Sequence, residues 1–69
     1  MYNDARFEYE MKIRNITKDD MCAALNISRS AFYRKRNGTS EFTQSEMQII
    51  REMLGQEAVI RIFFDEKVS

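Results

Sequence analysis

Three places in the chain repeat one short pattern, and no other feature restricts the fold as much. Ile16-Thr17 is followed by Met21, Ile27-Ser28 by Phe32, and Phe42-Thr43 by Met47. In each, a hydroxyl side chain stands where it can accept a hydrogen bond from a backbone N–H of a helix's first turn. The apolar residue before it can pack on the apolar residue four positions past it, as a hydrophobic staple. Thr43-Gln44-Ser45-Glu46 completes a capping box, and Thr17-Lys18-Asp19-Asp20 is a weaker version, because Asp is shorter than Glu.

The stops are as legible as the starts. The pattern predicts a helix from Lys18 to about Leu25, closed by Asn26 in the left-handed conformation. It predicts another from Arg29 to about Arg36, closed by Asn37-Gly38, and a third from Gln44 to Leu54, closed by Gly55. Ahead of these, Asp4 to Arg14 reads as a first helix with Phe7 and Met11 on one face. Behind them, Gln56 to about Phe64 reads as a fifth, with Val59, Ile62 and Phe63 on one face, although Val59 to Phe64 would serve equally as a strand. The chain has no Pro and two Gly among 69 residues. It is rich in Met, Glu, Arg, Ile and Ala, which favour helix. The expectation is an all-α protein: one domain over residues 1–69, built as a compact bundle of about five short helices.

The absences exclude several classes of function. Without His there is no Ser–His or Cys–His catalytic pair and no Cys₂His₂ zinc site. A single Cys forms no internal disulfide and no Cys₄ site. Cys22 reads as a small buried hydrophobe, and the five Met as core fillers. Glu8, Glu10, Glu52 and Glu57 are expected on scattered solvent faces, with no catalytic carboxylate pair. The longest apolar runs are three residues, Ala58 to Ile60 and Ile62 to Phe64, far short of the ~20 that span a bilayer. The start, Met1-Tyr2-Asn3-Asp4, lacks the features of a signal peptide. These points lead to the expectation of a cytoplasmic protein that is not an enzyme, with no metal, cofactor, small-molecule substrate or membrane partner.

Charge is balanced overall, 11 Lys+Arg against 11 Asp+Glu, but it is not evenly spread. Residues 12–36 carry seven bases (Lys12, Arg14, Lys18, Arg29, Arg34, Lys35 and Arg36) against Asp19 and Asp20. Both flanking segments are net acidic. A polyanion fits the basic block, and so does a merely solvated basic helix.

Only Asn26-Ile27-Ser28 separates the second and third helices, and a link that short forces a steep crossing, the helix-turn-helix arrangement. Met21, Leu25, Ile27 and Phe32 supply the core between them. Cys22 falls where the helices approach, and Asn26 falls where positive φ is needed. The run Thr17 to Gly38, TKDDMCAALNISRSAFYRKRNG, resembles the helix-turn-helix of the Cro/repressor (Xre-like, lambda-repressor-like) DNA-binding family. Within it, the stretch ISRS…YRK-NG is similar to that of small regulators of phages and mobile elements. The likeness covers about residues 5–64 and is specific over 16–38, with the helix-turn-helix itself at 17–37. The family has Ala where Cys22 stands, Gly where Asn26 stands, often Gln where Lys18 stands, and an apolar residue where Lys35 stands. The stem of Lys35 is accordingly expected to lie over the core with its ammonium in water.

The resemblance implies a small transcriptional regulator, a repressor, that binds double-stranded DNA with its third helix in the major groove. By motif position Ser28, Arg29, Ser30, Tyr33 and Arg34 face outward. Arg29 is the candidate for guanine readout. Ser30 and Tyr33 are candidates for base edges, with Tyr33 equally readable as a half-buried core edge, and Arg34 is a candidate for either base or phosphate. Thr17 and Lys18 are placed for a phosphate at a helix N-terminus. Lys35, Arg36, Asn37 and Thr39 are the implied DNA-backbone contacts. Residues 56–69 are a candidate dimerisation segment with Ile60 and Phe64 as the homodimer surface. The alternatives there are a helix buried on both sides, or a strand that pairs with a second copy. The rival function is a helix-turn-helix protein-interaction module, such as an adaptor, antitoxin-like partner or inhibitor, that does not bind DNA.

Overall fold

The computed structural model describes residues 2–64. Five helices follow in order: α1 (Asp4–Ile13), α2 (Lys18–Leu25), α3 (Arg29–Arg36), α4 (Gln44–Leu54) and α5 (Gln56–Val59), the last running directly into a π-helical turn, Ile60–Phe64. The described residues contain no strand. The apolar stretch from Val59 therefore resolves as helix, and the strand-paired dimer has no basis in them. None of the helices is long and apolar enough to cross a membrane.

The local grammar operates as the side chains dictate. Thr17, Ser28 and Thr43 each accept a backbone N–H three residues on, at 3.0, 3.0 and 3.1 Å. Both capping boxes close. Asp20 reaches the Thr17 N–H at 3.0 Å, nearly as well as Glu46 reaches Thr43 at 2.9 Å, so the shorter acid is adequate. A fourth start obeys the same rule without a hydroxyl. Asn3 caps α1 by accepting from the Arg6 N–H at 3.0 Å. Tyr2, ahead of that cap, packs edge-on against Phe7, four past it, with ring centroids 6.4 Å apart. α1 stops one residue earlier than expected, at Ile13, because Asn15 takes the left-handed conformation (φ 58°), as Asn26 does after α2. Gly55, at φ 99°, separates α4 from α5.

Every helix contributes to one core: Phe7 and Met11, then Met21, Cys22 and Leu25, then Phe32, then Ile50 and Leu54, then Ala58, Val59 and, in the last turn, Ile62. Tyr2, Phe7, Phe32, Phe42 and Phe63 form an aromatic cluster with centroids about 5.4–6.4 Å apart, the range in which tilted and edge-on pairs are favourable. The ends of the described chain are tied together, since the Asn3 N–H donates to the Ile62 carbonyl at 2.6 Å.

α3 is the exception, because it buries a single residue, Phe32. Its attachment is completed by charge. Arg36, whose side chain is 12% exposed, donates to Asp4 at 2.8 and 2.9 Å and to Glu8 at 2.6 Å. Its guanidinium also lies over the rings of Phe7 and Phe32. Lys35, 13% exposed, donates to Glu46 at 2.9 Å and to the Glu41 carbonyl at 3.1 Å. Its ammonium is thus held by protein oxygens rather than by water, a correction to the expected snorkel. A cation tolerates the apolar position because an acid and a carbonyl meet it there.

Glu10 corrects a second expectation. It lies three residues past Phe7 on the same face and is 3% exposed, the one buried charged residue among those described. Arg6 and Arg14, one turn either side, each donate to it at 2.6 Å and cover it with their stems. Burial by itself would raise its carboxyl pKa, but the hydrogen bonds from Arg14 and Arg6 outweigh that and hold it below the usual carboxylate range.

Two predictions follow from these ion pairs. Arg36→Ala should cost about 1–3 kcal/mol of unfolding free energy, the scale of hydrogen bonds to a charged group. Arg36→Lys should recover only part of it, because an ammonium cannot bridge two carboxylates in a planar fork. Urea unfolding measures both, and a loss below about 0.5 kcal/mol for the alanine variant would remove the clamp's role. Asp4, Glu8, Glu10 and Glu46 all have lowered pKa values. The folded state therefore binds protons at these sites more weakly than the unfolded chain does. Stability should be level above about pH 5 and fall as pH drops through and below the ordinary carboxylate range near 4. Thermal melts across that range check the sign, and greater stability at pH 3 than at pH 6 would contradict it.

Candidate nucleic-acid interface

α2 ends at Leu25, Asn26 turns the chain with φ 58°, and Ser28 caps α3 at once. Cys22 fits under this turn, buried, with its Sγ 4.0 Å from the Ser28 carbonyl. Burial pushes its thiol pKa up, which makes it a packing residue rather than a reactive one. Phe32 pins the helix to the core, and the side chains around it divide into two sets.

The first set faces outward together. Lys18, Arg29, Ser30, Tyr33 and Arg34 are exposed and line one cleft of about 420 Å³, with Phe32 and Arg36 completing its wall. Tyr33 is 68% exposed, so it does not serve as a core edge. Arg29 donates through Nε to Asp19 at 2.8 Å. Lys18 lies 3.9 Å from Glu8. Among the described residues the Arg34 side chain has no hydrogen-bond or ion-pair partner, while its backbone carbonyl accepts from the N–H groups of Thr39 and Ser40.

The second set is turned to structural use. Thr17 and Ser28 precede α2 and α3, and their hydroxyl oxygens accept helix-capping bonds. Asn37 ends α3, and its Oδ1 accepts from the N–H and the hydroxyl of Thr39 at 3.0 and 2.7 Å, a local turn that occupies both residues. Lys35 and Arg36 are drawn into the bundle by the contacts given above, so two of the expected backbone-contacting cations instead hold the helix down. Arg36's own pKa is raised, first by the Asp4 hydrogen bond and then by Glu8. In return, Arg36's hydrogen bond lowers the Glu8 carboxyl.

The cationic face also has an acidic shoulder that the linear charge count hides. Asp4 and Glu8 of α1 share a second, smaller cleft of about 240 Å³ with Lys18, Tyr33, Arg36 and Asn37. Residues 12–36 read as strongly basic in sequence, but folding brings acids from α1 and α4 onto them. Asp19 is the functional candidate that the sequence reading passed over. The available signal was its distance of ten positions from Arg29, across a three-residue turn.

Comparison with family models, curated proteins and solved structures returns no match to this chain.

The side chains of Ser30, Tyr33 and Arg34 are exposed. Ser30→Ala, Tyr33→Ala and Arg34→Ala should each change unfolding free energy by less than about 0.5 kcal/mol, the ordinary range for exposed positions. A larger loss for Tyr33→Ala, measured by denaturant titration, would show that the ring belongs to the bundle and not to a binding face.

Proposed function

We propose that this protein binds double-stranded DNA sequence-specifically as a small transcriptional regulator of the Cro/repressor helix-turn-helix type, a repressor of the kind found in phages and mobile elements. The observation that carries the reading is the composition of α3's outer face. An eight-residue helix buries one residue and directs Arg29, Ser30, Tyr33 and Arg34 outward around one cleft, with Lys18 of the preceding helix beside them. Arg34 and Tyr33 make no side-chain hydrogen bond or ion pair among the described residues, and the Arg29–Asp19 and Lys18–Glu8 pairs are exposed. The short α2–α3 link and the run Thr17 to Gly38 support the same reading.

In this reading α3 lies in the major groove with its N-terminal residues toward base edges. Arg29 reads guanine through O6 and N7. Ser30 and Tyr33 meet neighbouring base edges or a thymine methyl. Arg34, whose side chain has no hydrogen-bond or ion-pair partner among the described residues, takes a phosphate or a base. Lys18, at the N-terminus of α2, meets a phosphate where the helix dipole assists it. Counterion release provides the non-specific part of the affinity. Ion-pairing of the other cations within the molecule keeps that part small.

A homodimer completes the proposal. Ile60 and Phe64 are 46% and 56% exposed, the two apolar side chains that the last turn leaves outside the core. Joined there, two copies would present their α3 helices about 34 Å apart on one face of a duplex. The candidate segment 56–69 continues past residue 64, and its remainder lies outside the described residues.

Two measurements test this reading. Affinity for a duplex selected from a random pool should fall steeply with salt, log K against log[salt] sloping by about −0.9 per phosphate neutralised. Arg29→Ala should cost about 1–3 kcal/mol on that duplex and relax its sequence preference. No duplex binding at low salt, or binding of a protein partner indifferent to salt, would instead favour the interaction-module reading. For the dimer, Ile60→Asp should sediment as a folded monomer with unchanged circular dichroism, and unchanged sedimentation would remove this surface.

A further inference from the structure

The acid beside Arg29 has a role that follows from how the two side chains meet. Asp19 is the second residue of α2 and Arg29 the first of α3, brought together by the Asn26–Ser28 turn. Their contact runs from the Arg29 Nε to the Asp19 Oδ1 at 2.8 Å. Asp19 is 76% exposed and Arg29 66%, so the pair does little for stability. An acid at that point also repels the phosphates that the neighbouring cations attract. Placed there for net charge alone, it works against binding.

The atoms used give it another purpose. A guanidinium carries five N–H donors in a rigid planar fork. Asp19 occupies the Nε edge. The two Nη groups have no partner among the described residues. The edge left open is the one that spans O6 and N7 of guanine. Arg is long and loses much rotamer freedom when it is fixed. An acid that already holds Nε has taken up part of that loss before DNA arrives. As the groove excludes water the pair strengthens, because the same charges attract more in a lower dielectric.

Resting on the DNA-binding reading, we propose that Asp19 is a positioning residue that fixes the Arg29 guanidinium by its Nε and presents the Nη edge to guanine. It exchanges general attraction to phosphate for base selectivity. The same negative charge penalises loose backbone binding, so the residue acts on specificity in both directions.

The test compares wild type, Asp19→Ala, Asp19→Asn and Arg29→Ala on three duplexes: the sequence selected by wild type, the same sequence with the Arg29-dependent guanine replaced, and a random one. Asp19→Ala should bind the random duplex more tightly, since a repulsive charge is gone. It should also lose discrimination at the guanine by about tenfold, within the range of one bidentate contact. Asp19→Asn should bind the random duplex more tightly too, but keep an intermediate discrimination, because its amide oxygen still accepts from Nε. Adding Asp19→Ala to Arg29→Ala should remove no further discrimination, as expected when one residue acts through the other. Circular dichroism confirms that each variant is folded. Equal gains on all three duplexes with discrimination intact would show Asp19 to be only a repulsive charge. No change on any duplex would show the pair to be inert. Either result overturns the positioning role and leaves DNA binding standing. A wild-type protein that holds no duplex at low salt overturns DNA binding itself, and this assignment with it.

Discussion

The guanidinium of Arg36 holds the third helix to the rest of the molecule. A helix with the sequence RSAFYRKR offers the core one aromatic ring, too little to fix its orientation. Arg36 adds three hydrogen bonds to two carboxylates of α1 and stacks over the rings of Phe7 and Phe32 on the way. The contact is both polar and apolar, and it joins α3 to α1 across the intervening α2. Tyr2 extends it by donating its hydroxyl to Asp4. That phenol's pKa is raised, first by burial and then by the adjacent carboxylate, so it remains a donor.

Because Arg36 and Lys35 are used in this way, α3 is polarised along its length. Its C-terminal cations are neutralised against Asp4, Glu8 and Glu46. Arg29, Ser30, Tyr33 and Arg34 stay exposed outside the bundle. The ion pairs anchor the last turn of α3 without apolar side chains. Among the described residues, most Lys and Arg side chains stand within ion-pair distance of a carboxylate.

How much of this was legible depends on the range over which each interaction acts. The helix starts at Thr17, Ser28 and Thr43 could be read directly, because cap and capped N–H lie three residues apart and the staple partners five apart. The start at Asp4 is legible from the apolar spacing of Phe7 and Met11, and its Asn3 cap obeys the same rule with an amide in place of a hydroxyl. The stop at Asn15 was misplaced by one residue, since nothing local distinguishes an Asn that takes the left-handed conformation from one that continues the helix. The apolar run from Val59 to Phe64 fits a strand or a helix equally well by periodicity. Packing decided it: Ile62 is fully buried, its carbonyl holds the Asn3 N–H, and the run winds as a π-helical turn.

The sequence by itself determined where the helices begin, most of where they end, and which apolar residues form the core. Those outcomes rest on hydrogen bonds and packing within about one helical turn, and residue types record them directly. Tertiary structure alone decided the fate of each charge. Lys35 and Arg36 are adjacent to Arg34 and chemically akin to it, yet two are half-buried in ion pairs and one is left open. Glu10 is buried while Glu8 is not. The Arg36 partners lie 28 and 32 positions away, and the partner of Arg29 ten away across a turn. A charge has no periodicity that announces its partner. Which cations pair within the fold and which stay open is settled only when the helices have packed and the distances between side chains are set.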